Sequence, residues 1–194
     1  MRSLLVVLAL AAYAHQQPAS IDAHSEDPAV YRAVLDSIFI PHNSDRVRQL
    51  VILDSTSSFR RENLVPGTFR DLFELQEVDS TAVHNFEIRN LEAHSLKYLA
   101  TVALPVPVTL VSHESLRSLP RENPDKYWTE FYKRYPGAGG EIRLYGIGYS
   151  ANGNIALLMV DHSCGSLCGG GYNVVVKRLG GRWRVIVVQQ TWVS

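Results

Sequence analysis

The chain has 194 residues, 46% of them hydrophobic, and its 19 Lys and Arg balance 19 Asp and Glu. That apolar content excludes a disordered chain and is enough for one well-buried core. The even charge balance sets up no global field for nucleic acid or an anionic membrane, so neither is an expected partner.

Arg2, the apolar run 4–12 and the small-x-small triplet Ala12-Tyr13-Ala14 follow the order of a signal peptide cleaved near Ala14. The run is too short for a permanent span, which needs about 20 residues, and no later segment is apolar enough to cross a bilayer. The expected mature protein is secreted or periplasmic and has no transmembrane segment. Residues 15–27 are polar and expected to be a flexible lead-in, with a single α+β domain over 28–194.

Pro28 opens the first expected helix, with Asp27 as N-cap and Val30, Val34, Leu35 and Ile38 along one side, and Pro41 stops it. A strand is expected over 47–56, where 50–53 are apolar on both faces. Between 57 and 111 the signals weaken. Pro66-Gly67 marks a turn before the apolar cluster Phe69, Leu72 and Phe73. A helix over 79–91 would place Val83, Phe86 and Asn90 on one side. Pro105 and Pro107 keep 101–111 extended and confine it to a sheet edge or a connector.

Asn123 and Pro124 are the cap and first position of a second well-marked helix, with Gly137 just past its end. Trp128, Phe131, Tyr132 and Tyr135 recur at i, i+3, i+4 and i+7 on one face. Such a stripe is either a ligand platform or a core face, and the helical spacing predicts packing on the C-terminal strands. Those strands are expected at 142–150, 155–162, 172–179 and 182–192. Asn152-Gly153 and Gly180-Gly181 serve as two-residue turns, and 163–171 forms a wider loop. The expected fold is α+β: an antiparallel sheet whose C-terminal four-stranded meander is covered on one face by helices.

The densest chemical cluster is Asp161-His162-Ser163-Cys164-Gly165-Ser166-Leu167-Cys168. It admits a Cys164–Cys168 disulfide, a zinc site from His162, Cys164 and Cys168 with His113 as a distant fourth ligand, or a cysteine nucleophile beside His162. The paired Cys-x-x-Cys knuckle of zinc sites is missing, and an exported compartment oxidises cysteine pairs, so the disulfide is expected. Four extended residues reach about 13–14 Å against the roughly 4.4–6.8 Å a bridge allows, so the segment must curl. Gly165, Gly169, Gly170 and Gly171 permit that curl. So small a ring adds only about 2 kcal/mol in the chain-entropy model.

Other motifs fail. In residues 148–153 the second glycine does not stand two residues after Ser150 as a nucleophile elbow requires, and Gly146 and Gly148 do not open a helix as a dinucleotide fingerprint requires. The sequence therefore assigns no catalytic residue, no metal ligand and no cofactor. Glu92 with His94, and His113 with Glu114, form acid–base pairs only if the fold brings them together.

From Tyr127 onward, Trp128-x-x-Phe131, Tyr135-Pro136-Gly137, Gly146-Ile147-Gly148-Tyr149-Ser150, Asn152-Gly153, Ala156-Leu157, Cys164-Gly165-x-Leu167-Cys168-Gly169-x-Gly171-Tyr172, Trp183 and Trp192-Val193-Ser194 make up a pattern. It resembles a group of exported bacterial proteins of unknown function, more loosely before Tyr127. The resemblance implies an exported context and a shared α+β domain and transfers no catalytic residue. The expected function is a non-enzymatic binding or interaction module outside the cytoplasm, with a protein or a small molecule as partner. The alternative is a small exported hydrolase with a His/carboxylate site. A concave pocket where His and Asp or Glu converge with shifted pKa values distinguishes the second from the first.

Overall fold

A computed structural model describes residues 23–40, 47–59, 78 and 80–194. The leader over 1–14, Pro66-Gly67 and the Phe69, Leu72, Phe73 cluster lie outside the described residues. In chain order the elements are α1 (Ala23–Phe39), β1 (Gln49–Leu53), α2 (Ser80–Arg89), a 3-10 turn (Lys97–Thr101), β2 (Val108–Val111), α3 (His113–Arg117), α4 (Pro124–Arg134), β3 (Ala138–Leu144), β4 (Gly148–Tyr149), β5 (Ile155–Gly165), β6 (Cys168–Leu179) and β7 (Arg182–Val193). The strands form one sheet in the order β2-β1-β3-β5-β6-β7, with the short β4 beside β5.

The α+β class holds, and the sheet is mixed rather than antiparallel. β1 runs parallel to both β2 and β3, while β3, β5, β6 and β7 are antiparallel. Parallel neighbours need long crossovers, and the segments 54–107 and 112–137 supply them. The expected strand at 142–150 divides into β3 and the two-residue β4, so the long-stranded meander is β5-β6-β7. Among the described residues β2 lies at the sheet edge, where the proline pair directed it.

β1 is buried on both faces, as its continuous apolar run required. Leu50 and Ile52 join Val30, Tyr31, Val34, Leu35 and Phe39 of α1, together with Ile142, Leu144, Leu158, Val160, Val174 and Val176. Val51 and Leu53 point the other way, into a cluster with Val111, Leu116, Phe131 and Tyr135. On that second face Ala82 and Phe86 of α2 cover Leu157 and Val175. Helices therefore cover both faces of the sheet, not one.

The cap of α4 is as expected, with Asn123 Oδ1 accepting from the Asp125 and Lys126 amides at 2.9 and 3.1 Å. The aromatic stripe packs, but not on the meander. α4 leads through Gly137 into β3, whose neighbour is β1, and the helix therefore lies over the β1–β2 half. The helix also touches β5, where the Tyr132 hydroxyl donates to the Cys164 carbonyl at 2.7 Å.

α1 starts at Ala23 rather than Pro28, so Pro28 sits inside the helix and Asp27 is not its cap. The Gly180-Gly181 turn has φ 57° and 77° as a two-residue hairpin demands. Asn152-Gly153 instead belongs to a longer turn closed by the Ser150 amide on the Ile155 carbonyl at 2.9 Å.

The wide loop expected at 163–171 is absent, because β5 runs to Gly165 and β6 begins at Cys168. The Cys164–Cys168 disulfide closes this tight turn with Cα atoms 5.0 Å apart. The three glycines belong to β6, and their bareness has another use. A Cβ on Gly171 would lie 2.0 Å from Nε1 of Trp192, whose indole rests there and donates to Asp161 at 3.0 Å. Among the described residues no helix is long and apolar enough to cross a membrane.

Candidate functional site

α2 is fastened to the segment 146–149 along its whole inner face. Ala82 and Phe86, four residues apart, meet Gly148, where a Cβ would lie 2.2 Å from the Ala82 carbonyl oxygen. Asn85 Nδ2 donates to the Tyr149 carbonyl at 2.8 Å, and Arg89 Nη1 to that of Ile147 at 3.3 Å. The fully buried Asn90 accepts from the Gly146 amide at 2.7 Å and donates to its carbonyl at 3.0 Å, imitating a strand partner. Of the side expected to carry Val83, Phe86 and Asn90, Phe86 and Asn90 meet this segment; the helix itself ends at Arg89, and Ala82 is the other fully buried residue of its docked face. Gly146 and Gly148, which fit no cofactor motif, are the floor on which it docks.

Behind this seam lies a buried ion pair. Asp27, 2% exposed, receives Arg89 through Nη1 on Oδ1 at 3.1 Å and through Nη2 on Oδ2. The Tyr149 hydroxyl donates to the same Oδ1 at 2.9 Å. Burial, then the charge of Asp27, holds the Tyr149 and Tyr98 hydroxyls far above the usual phenol value. Burial opposes the Arg89 charge, but the hydrogen bonds and charge of Asp27 outweigh it and keep the guanidinium protonated. Next to it, Glu26 accepts from Trp183 Nε1 at 2.9 Å and pairs with Arg178 at 2.6 Å. The Trp183 hydrogen bond, helped by Arg178 against desolvation, lowers the Glu26 pKa. Glu26 and Asp27 together pin the start of α1 to β4 and to the β6–β7 hairpin. The sequence offered one signal for this, two adjacent acids opening an apolar helical face.

Outside the Arg89–Tyr149 wall is an open cavity of about 560 Å³, lined also by Asn85, Ile88, Leu91, Glu92, His94 and Ile147. The structure therefore brings Glu92 and His94 to one cavity. The His94 ring Nε2 lies 3.0 Å from the Arg89 carbonyl, and its backbone pairs with Thr56. His113 and Glu114 are both exposed in the first turn of α3.

A second cavity, about 210 Å³, lies on the α1 face and is lined by Ile38, Phe39, Val47, Leu50, Ile142, His162 and Tyr172, with Gly139 and Gly140. His162 Nε2 is 2.9 Å from the Gly139 carbonyl, and its ring centre is 5.3 Å from that of Phe39. Its strand partner is Ile142, so the adjacent Glu141 faces the opposite side of the sheet. There Tyr127 and Arg143 donate to the Glu141 carboxylate at 2.6 and 2.7 Å. Histidine and carboxylate are thus separated by the sheet. Both cysteines of the zinc and nucleophile readings are bonded to each other. Among the described residues no group of three or more His, Cys, Asp or Glu is placed to hold a metal.

Burial, opposed by the Gly139 carbonyl and the Glu141 charge, lowers the His162 pKa below its ordinary 6.5. The unfolded chain then binds the proton more readily than the folded one. Stability contributed by neutral His162 is complete above about pH 6.5 and declines as pH falls through that value toward the lower folded one. The melting temperature is expected to drop between about pH 7 and pH 5, and His162→Gln to flatten part of that drop. A His162→Gln profile with the wild-type slope would assign the decline to other groups.

The chain matches no protein-family model, and neither a curated protein nor a solved structure is significantly similar to it. Function must be read from the cavities and surfaces themselves.

Proposed function

We propose that the chain is a non-enzymatic binding module working outside the cytoplasm, and that the cavity beside α2 receives a small, neutral, mainly apolar molecule. The observation that carries this is the cavity itself. Its volume of about 560 Å³ falls in the range of small-molecule sites. Ile88, Leu91 and Ile147 supply apolar wall, and Ile88 stands 53% exposed at the rim. The polar groups behind them already bond to one another, Arg89 and Tyr149 to Asp27 and Asn85 to the Tyr149 carbonyl. A charged ligand would have to compete with those bonds, whereas an apolar one would not. The leader-like residues 1–14 and the disulfide support the extracytoplasmic setting, and membership of the exported bacterial group belongs to the same proposal.

Titration with the neutral dye N-phenyl-1-naphthylamine tests this reading. Saturable one-to-one binding is expected, together with its loss in Ile88→Glu, a substitution at an exposed position that leaves the core intact. Absence of saturable binding, or binding indifferent to Ile88→Glu, would overturn it. Glu92 and His94 on the same wall favour the hydrolase as a second reading. Turnover of p-nitrophenyl acetate that disappears in His94→Ala would establish it in place of the first.

A further inference from the structure

We infer that the outer edge of β7 is a strand-addition site for an extended segment of another polypeptide, apolar along its length and acidic at its C-terminal end. Among the described residues β7 is the last strand of the sheet and pairs only with β6. Of the large apolar side chains that stand exposed among the described residues, all except Ile88 lie on β6, on β7 or in the β5–β6 turn. Ile186, Val188, Trp192 and Val193 belong to β7 itself and are 41, 45, 40 and 73% exposed.

Sheet edges are commonly guarded by lysine, proline, short length or distortion, because the free N–H and C=O groups of an edge invite another strand. β7 runs for 12 residues, and from Val185 to Val193 it contains no charged residue and no proline. Two register shifts interrupt its pairing, opposite Gly171/Tyr172 and Val175/Val176. Between them residues 187–190 pair with 172–175 in unbroken register, leaving a regular edge for a short incoming strand.

Charge decides what fits. Arg182 and Arg184 open β7, and Lys177 is the register partner of Arg184. Among the described residues Arg178 has an ion pair, with Glu26, whereas Lys177, Arg182 and Arg184 have none. At the hairpin tip no described residue lies within 4 Å of a Cβ built on Gly180 or Gly181. A strand continuing the antiparallel meander would bring its C-terminal end alongside this basic tip, where carboxylates would be attracted and further basic residues repelled. A second copy of β7 meets the first requirement but not the second, since residues 182–193 contain no acidic side chain.

The test uses the full chain and two fluorescent peptides of about ten alternating valines and threonines, one ending in two glutamates and the other in two lysines. Fluorescence anisotropy should show the glutamate peptide binding roughly tenfold or more tighter than the lysine peptide. Arg182→Glu with Arg184→Glu, both at exposed positions, should reverse that order. If the double variant fails to fold, Arg184→Gln should still narrow the difference. Amide hydrogen exchange within 187–190 should slow on binding. Equal affinity for both peptides, no binding, an order unchanged by the charge reversal, or unaltered exchange at 187–190 would each overturn the inference. So would a concentration-dependent dimer in sedimentation that protects the same amides, which would give the edge to a second copy of this chain.

Discussion

Asp27→Asn is expected to lower stability by about 3–5 kcal/mol, the usual consequence of removing one partner from a buried ion pair. The substitution preserves side-chain shape and leaves the Arg89 guanidinium, whose side chain is 14% exposed, without a counter-charge. It also turns the Tyr149 hydroxyl toward a neutral amide oxygen. For a chain of this size the melting temperature should fall by about 6 to 20 °C. The fall should be largest in whatever signal reports the start of α1, since Asp27 joins that helix to α2 and β4. Replacing both partners, as in Asp27→Leu with Arg89→Met, should recover most of the loss, because the penalty comes from the orphaned charge more than from the missing pair. Calorimetry of the three variants decides this. An Asp27→Asn variant melting with the wild type would show that the ion pair does not hold α1.

Local signals were legible where one or two residues determine the geometry. Asn123 and Pro124 start α4 because a side-chain oxygen and a fixed φ act within one turn, and Gly180-Gly181 supplies the positive φ that the last hairpin needs. The Cys164–Cys168 pairing was legible for the same reason of short range. What each face packs against was not. The period of the α4 stripe shows that Phe131 and Tyr135 are turned inward, but whether they meet β1 or β5 depends on the order of strands. Strand direction was equally hidden, since the apolar run of β1 is the same whether its neighbours are parallel or antiparallel. Gly169, Gly170 and Gly171 read as a loop because a missing Cβ frees the backbone, while in the fold the space at Gly169 and Gly171 holds the Trp192 indole and that at Gly170 the Gln190 amide and Tyr172 hydroxyl. The cavity depends on Asp27, Arg89 and Tyr149, which are 62 and 122 residues apart along the chain in their two contacts with Asp27. No spacing rule reaches that far.

Gly148→Ala should damage fold and cavity together. The added Cβ would lie 2.2 Å from the Ala82 oxygen and 2.5 Å from the Phe86 amide nitrogen, and both belong to the α2 backbone. No side-chain rotation relieves contacts of that kind, so α2 must move away from β4. Overpacking of this sort costs about 1–3 kcal/mol, or about 2 to 12 °C in melting temperature here. Movement of α2 also pulls Asn85 from the Tyr149 carbonyl and Arg89 from that of Ile147, and these residues form the cavity wall. Dye binding should therefore weaken in Gly148→Ala even at temperatures where the protein is fully folded. Gly181→Ala is the informative comparison, because open space surrounds that position while its φ of 77° disfavours any side chain. That variant should lose about 1–2 kcal/mol through backbone strain and bind the dye as the wild type does. If Gly148→Ala instead binds normally once folded, the seating of α2 on β4 is a matter of stability alone and the cavity does not depend on it.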